Sequence, residues 1–176
     1  MKKYIFLLLL FLTHFTLFAQ NRNFFKLYVT NEKNEVMLIK FDGEWEIPGA
    51  NYKSSQTISQ FLDTMANDHG ISIGGKKLRG MITFHHEIRD NPTITLYYSA
   101  KYKSGTLNTP NWGQEVKWFS FEEACKIIPY GEMVEIMKKI NTNKKTLWGG
   151  AIIISYDKET SKRKGYKILE DFYKLN

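Results

Sequence analysis

The sequence predicts an α+β domain in which helices cover a mixed β-sheet, and three observations carry that prediction. Short β-branched and aromatic runs recur between polar turns; two stretches repeat apolar residues at helical spacing; and the order runs strands, helix, strands, helix, strands.

The first segment is of a different kind. "MKKYIFLLLLFLTHFTLFAQ" opens on Lys2 and Lys3, runs apolar from Tyr4 through Leu12 and ends on Ala19 before Gln20, which is the plan of a secretory signal cleaved after Ala19. The run breaks at Thr13 and His14, short of the ~20 residues a spanning helix needs. The expectation is a signal peptide over residues 1–19, no stable membrane anchor after cleavage, and an exported protein, periplasmic or secreted. The remaining ~155 residues suit one domain over 22–141 with a strand-pair extension, 142–176, packed on it. Cys125 is the single cysteine, so no intramolecular disulfide helps the core, and its apolar neighbours in "FSFEEACKII" mark it as a structural thiol. Loss of Lys2 and Lys3 lowers the formal charge from +7 to +5. What remains is spread as lysine pairs and a "SKRKGYK" tip rather than one stripe, so no nucleic-acid partner is expected.

Each element follows from its residues. "NFFKLYVT" and "NEVMLIKFDG" flank the polar "NEKNE" and predict a hairpin. Pro48 and Gly49 interrupt regularity, and "SQTISQFLDTMANDHG" then places Ile58, Phe61, Leu62 and Met65 at helical spacing, with Ser54 or Ser55 as cap and Gly70 as stop. "KLRGMITFHHEI" and "PTITLYYSAKYKSG" predict antiparallel strands turning at Asp90, Asn91 and Pro92. "EVKWFSF" is a short strand, and "FEEACKIIPYGEMVEIMKKI" is helical on both sides of Pro129. "LWGGAIIISYD" and "GYKILEDFYKL" close the chain as a strand pair around "KETSKRK", which reads as a solvated tip.

The stretch "WEIPGANYKSSQTISQFLDTMANDHGI" resembles the signature of the Nudix family, G-x5-E-x7-R-E-U-x-E-E-x-G-U with U apolar. "WEIPGA" is similar to that family's W-x-(L/F)-P-G-G, Gly70 and Ile71 to its closing G-U, and "EVKWFSFEEA" to the strand that hands over to its last helix. The resemblance spans about Phe24 to Ile140 and implies an α/β/α sandwich; it leaves the "LWGGAIIISYD" tail, read as a C-terminal β-hairpin-like extension, unexplained. It also implies Mg²⁺ or Mn²⁺ as cofactor of an active hydrolase. The interval is one residue short of the family spacing. Counted back from Gly70, Asp63 replaces the family's Arg, Thr64 the first Glu, and Asn67 and Asp68 the Glu pair. With the gap after the helix, Thr64 and Met65 replace Arg-Glu, while Asp68 and His69 replace the pair. Only Asp68 stays acidic in either register.

The family's carboxylates stand at i, i+3 and i+4, on one helical face, where they converge on divalent ions. Mg²⁺ wants oxygen ligands in near-octahedral geometry, and each missing carboxylate removes an attraction of order ~4 kcal/mol at an effective dielectric near ~20 and ~4 Å. The expectation is therefore a degenerate box in a pseudoenzyme with no cofactor, acting as a binding or interaction module toward a small molecule or protein. The alternative is a metal-dependent hydrolase of nucleoside-diphosphate-linked substrates, with Asp68 as metal ligand and Asp63, Glu46 or Glu87 as relocated groups.

Other candidates flank the implied cleft. In "FHHEIRD" adjacent side chains of a strand point to opposite faces, so His85 and Glu87 share one face and His86 takes the other. His85 and Glu87 are expected against a ligand. Tyr52 and Trp112 lie in polar loops, where an aromatic marks recognition, whereas Trp45 and Trp118 belong with the core.

Overall fold

The computed structural model describes residues 23–52 and 55–176. The predicted signal segment 1–19 and Ser54 lie outside the described residues. In order the elements are β1 (Asn23–Thr30), β2 (Val36–Phe41), β3 (Glu44–Glu46), β4 (Gly49–Asn51), α1 (Ile58–Asn67), β5 (Ile71–His86), β6 (Arg89–Gly105), β7 (Glu115–Phe119), α2 (Phe121–Ile127), α3 (Gly131–Thr142), β8 (Trp148–Tyr156) and β9 (Arg163–Lys174). The strands form one mixed sheet in the order β3-β2-β1-β6-β5-β8-β9, with β4 joined to β1 and β7 to β2.

The central strand β1 is buried on both faces from Phe25 to Thr30. Its odd residues Phe25, Leu27 and Val29 pack under Phe61, Leu62, Met65 and Ala66 of α1. Its even residues face the other way, where Tyr28 joins Val36, Leu38, Ile82 and Tyr97 beneath Ile136 and Met137 of α3. The period of two along a strand thus divides one sequence between two cores, with α1 on one side and α2 with α3 on the other.

The predicted first hairpin opens at its base. β1 and β2 pair only at Thr30 and Val36, while Asn31 Oδ1 accepts from the amides of Lys33 and Glu35 to hold the turn. The long partner of β1 is β6, parallel and in register from Asn23 beside Ile94 to Thr30 beside Lys101. β2 runs instead against β7 and β3.

Two further expectations change. Thr57, not Ser54 or Ser55, caps α1: its hydroxyl accepts from the Gln60 amide while the Gln60 side chain accepts from the Thr57 amide, a capping box that "TISQ" spells out. The β5–β6 turn falls at Glu87 and Ile88, between the paired His86 and Arg89. Asp90 to Pro92 form an irregularity inside β6, where a residue without an amide proton costs no ladder bond. Gly70 ends α1 at φ +77, and a side chain there would strike the Thr106 carbonyl.

β8 and β9 join this sheet. Trp148 to Ile154 run parallel beside Gly80 to His86, burying Ile152 and Ile154 in the α3 core, while Ile168 on β9 is 41% exposed. Ile152→Ala is therefore expected to lower unfolding free energy by about 2–5 kcal/mol through transfer and cavity costs. Ile168→Ala should stay within about 0.5 kcal/mol; urea unfolding of the two variants measures the contrast.

Candidate functional site

An open cleft of about 500 Å³ lies where the amino-terminal half of β1 meets the start of α3. Its floor follows from strand alternation: Phe24 and Lys26 come from β1, Phe84 and His86 from β5, and Thr93, Thr95 and Tyr97 from β6. Tyr130 and Glu132 descend from the start of α3, and Arg163 closes the wall from the first residue of β9.

Two ion pairs organise the cleft. Lys26, 6% exposed, donates from Nζ to Glu46 Oε2 at 2.7 Å and to the Ile47 carbonyl at 2.8 Å. Burial pulls its ammonium below the usual lysine range, against the attraction of Glu46. Glu132, 3% exposed, accepts from Arg163, whose guanidinium also lies 4.8 Å above the Tyr130 ring. The inner wall of the cleft thus presents charges already neutralised, set among aromatic rings, with Asp42 and Arg89 at its exposed edge. His86 joins it as a neutral ring, lowered by burial and by neighbouring cations, with Nδ1 2.6 Å from the Tyr156 hydroxyl.

The residues expected from sequence are distributed differently. No side chain of α1 lines the cleft among the described residues. Asp63 is bound to Lys76 at 2.6 Å. Thr64 Oγ1 donates to the Gln60 carbonyl at 3.1 Å and accepts from Gln56 at 3.2 Å. Asn67 and Asp68 face solvent, and partial burial holds the Asp68 carboxyl above its ordinary range. Tyr52 packs against Phe25 and Phe61, at ring distances of 5.4 and 5.1 Å, rather than lining the cleft. His86 rather than His85 enters the cleft, because β5 turns the even residues Ile82, Phe84 and His86 toward α3. Glu87 Oε2 accepts from the Tyr156 amide at 3.2 Å. Trp112 is exposed at the loop surface, edge-on to Phe41 at 6.3 Å and to His69 at 5.6 Å. Cys125 is half-buried, its thiol raised by burial.

Lys26, Glu132, Tyr130 and Arg163 escape the sequence reading. A lysine inside the apolar run "NFFKLYVT" is the one signal that marks the place. Arg163, read with the solvated "KETSKRK" tip, instead pairs with a buried carboxylate on another element.

The architecture, a curled mixed sheet between α1 on one side and α2 with α3 on the other, is the Nudix α/β/α sandwich. No family profile matches the chain, and no curated protein matches it by sequence. Solved structures do match. The mutator MutT protein from Bacillus halodurans superposes at TM-score 0.67 with 14% identity, over 84% of this chain and 97% of that one. A Nudix hydrolase from Nitrosomonas europaea gives TM-score 0.59 with 10% identity, over 70% and 90%. The Nudix domain of Shewanella oneidensis NrtR, solved with ADP-ribose, gives 0.61 with 10% identity, over 71% and 89%. The chain is a Nudix-fold domain.

Nudix hydrolases generally depend on a divalent metal, and the donor set here does not fit one. Among the described residues no group of three or more His, Cys, Asp or Glu could hold a metal ion. On α1 the acid Asp63 already has a cation, Thr64 is engaged within the helix and its leading loop, and Asp68 stands as the one remaining carboxylate.

Two outcomes follow. Glu46→Ala leaves the Lys26 ammonium buried without its carboxylate and should cost about 3–5 kcal/mol in chemical unfolding, whereas the paired change Lys26→Met with Glu46→Leu should be near neutral. His69, beside Asp68, is 1% exposed with Nδ1 unpartnered among the described residues, and burial lowers its pKa from 6.5 to about 4. The unfolded chain therefore takes the proton first as pH falls. The stabilisation is complete above pH 6.5 and is lost toward pH 4, about 3 kcal/mol in all. Asp68, raised by burial, acts in the opposite sense at the acid end of that range. Stability measured across pH for the wild type and His69→Phe isolates the histidine, since the variant lacks that slope.

Proposed function

We propose that this chain is an exported Nudix-fold binding module without pyrophosphohydrolase activity, taking a small molecule in the cleft between β1 and α3. One observation carries the reading: the helix that would hold a metal contributes nothing to the cleft, and its polar groups are engaged elsewhere or face solvent. The amino-terminal segment supports export to a periplasm or beyond, with no membrane anchor retained and no nucleic acid as partner.

The cleft's chemistry supports a ligand with a flat ring and several hydrogen-bonding groups. Tyr130, Phe24, Phe41 and Phe84 offer ring faces and edges, while Thr93, Thr95, Asn51 and His86 offer polar contacts. Lys26, Arg89 and Arg163 balance Asp42, Glu46 and Glu132 along the lining, so recognition rests on stacking and hydrogen bonds rather than on attraction to a phosphate. The ADP-ribose bound by the NrtR domain makes nucleosides and their diphosphate esters the first probes.

Calorimetry of the purified protein with Mg²⁺ and Mn²⁺, followed by a phosphate-release screen over dinucleotides, nucleotide sugars and nucleoside diphosphates, tests this. The expected result is no metal-dependent turnover, and ligand binding that Tyr130→Ala weakens about 3- to 10-fold and Asp68→Ala leaves unchanged. Turnover that needs the metal and disappears in Asp68→Ala would establish the alternative, a hydrolase with a non-standard ligand set. Amino-terminal sequencing of the exported protein should begin at Gln20.

A further inference from the structure

A second cavity, of about 240 Å³, lies at the opposite end of α3, against the carboxyl-terminal half of β1. It shares no lining residue with the cleft. Its wall carries Lys77, Arg79, Lys101 and Lys144, together with Tyr28 and Ser99, and no aspartate or glutamate. Two irregularities of the β5–β6 ladder build it. β5 carries one extra residue between the pairs Gly74–Lys101 and Lys77–Ser99, and another, Arg79, between Leu78–Tyr98 and Gly80–Tyr97. Bulges of this kind re-aim a side chain and gather near functional sites. Lys76, within the first, turns instead to Asp63 on α1.

Arg79 is the telling residue. It is 8% exposed, and its one side-chain hydrogen bond among the described residues runs from Nε to Ser99 Oγ at 3.2 Å. No carboxylate pairs with it among the described residues, nor with Lys77, Lys101 or Lys144. A guanidinium has five donors, and the terminal nitrogens of Arg79 are not among the buried groups, so they stay open to the cavity and free to take a ligand. Tyr28, also on the wall, keeps its hydroxyl buried without a partner among the described residues. In the cleft the chain provides carboxylates for Lys26 and Arg163, though not for the exposed Arg89, and it provides none for Arg79.

We propose that this cavity binds a small phosphate ester, with the phosphate on Arg79 and its lysine rim and the organic part against Ile140 and Asn141. The guanidinium fork matches a tetrahedral oxyanion through two parallel donors, and the three exposed lysines add charge at the mouth. The volume sits below the range of roughly 300 Å³ and more typical of drug-sized pockets, which sets the ligand at the scale of a phosphorylated polyol. The site is independent of any chemistry in the cleft.

Titration of the purified protein at low ionic strength with glycerol 3-phosphate, inorganic phosphate and glycerol separates the sources. Saturable binding of the ester, tighter than the free ion and absent for glycerol, is expected. Arg79→Gln should weaken it at least tenfold, Lys77→Gln and Lys144→Gln each about threefold, and Lys158→Gln, outside the cavity, not at all. Arg79→Gln should also unfold at no lower temperature than the wild type without ligand, yet lose the upward shift in Tm that the ester confers. Equal affinity for ester and free phosphate overturns the ester assignment. Absence of saturable binding by either, or binding intact in a cooperatively folded Arg79→Gln protein, overturns the site.

Discussion

Everything in this domain is arranged around a strand that has no solvent face. From Phe25 to Thr30 β1 sits inside the sheet with α1 on one side and α3 on the other, so a side chain there must be apolar, or a charged one must find a partner. Phe25, Leu27 and Val29 meet the first condition and Lys26 the second, through Glu46 and the Ile47 carbonyl. That requirement ties β3 to β1 and opens the cleft where the ion pair stands. The parallel ladder with β6 then carries Thr95 and Tyr97 to the same face.

Fold and site respond to different physics. The Nudix sandwich depends on apolar alternation and on the packing of Phe61, Leu62, Met65 and Ala66 of α1, none of which requires carboxylates on the outer face. The acids can therefore be replaced by Thr64 and Asn67 while the helix stays, with Thr57 and Gln60 still capping it. A metal site has no such tolerance, because each lost charge removes attraction that packing does not restore.

Charge is handled in opposite ways at the two ends of α3. At its start Glu132 and Arg163 neutralise each other over Tyr130. Past its end Lys144 joins Lys77, Lys101 and Arg79 around a cavity with no acid in its wall. A surface lysine is indifferent to company, since water solvates it; Arg79, at 8% exposure, meets water only through the cavity. The contrast lies in the burial of Arg79, not in the number of basic residues.

By itself the sequence determined the kind and order of the elements, the second and third helices split by Pro129, the closing strand pair, and the thinning of acids along α1. These are readable because a strand period of two and a helix period of 3.6 are local properties of ten or so residues. The tertiary structure alone decided which charges meet. Lys26 and Glu46 are 20 residues apart and Glu132 and Arg163 are 31 apart, and whether such groups touch depends on strand register. A single inserted residue moves Arg79 into a cavity, the parity of β5 selects His86 over His85, and a proline bulge displaces the turn from Asp90 to Glu87. Register is set by the summed packing of distant strands, so no short window of the chain contains it.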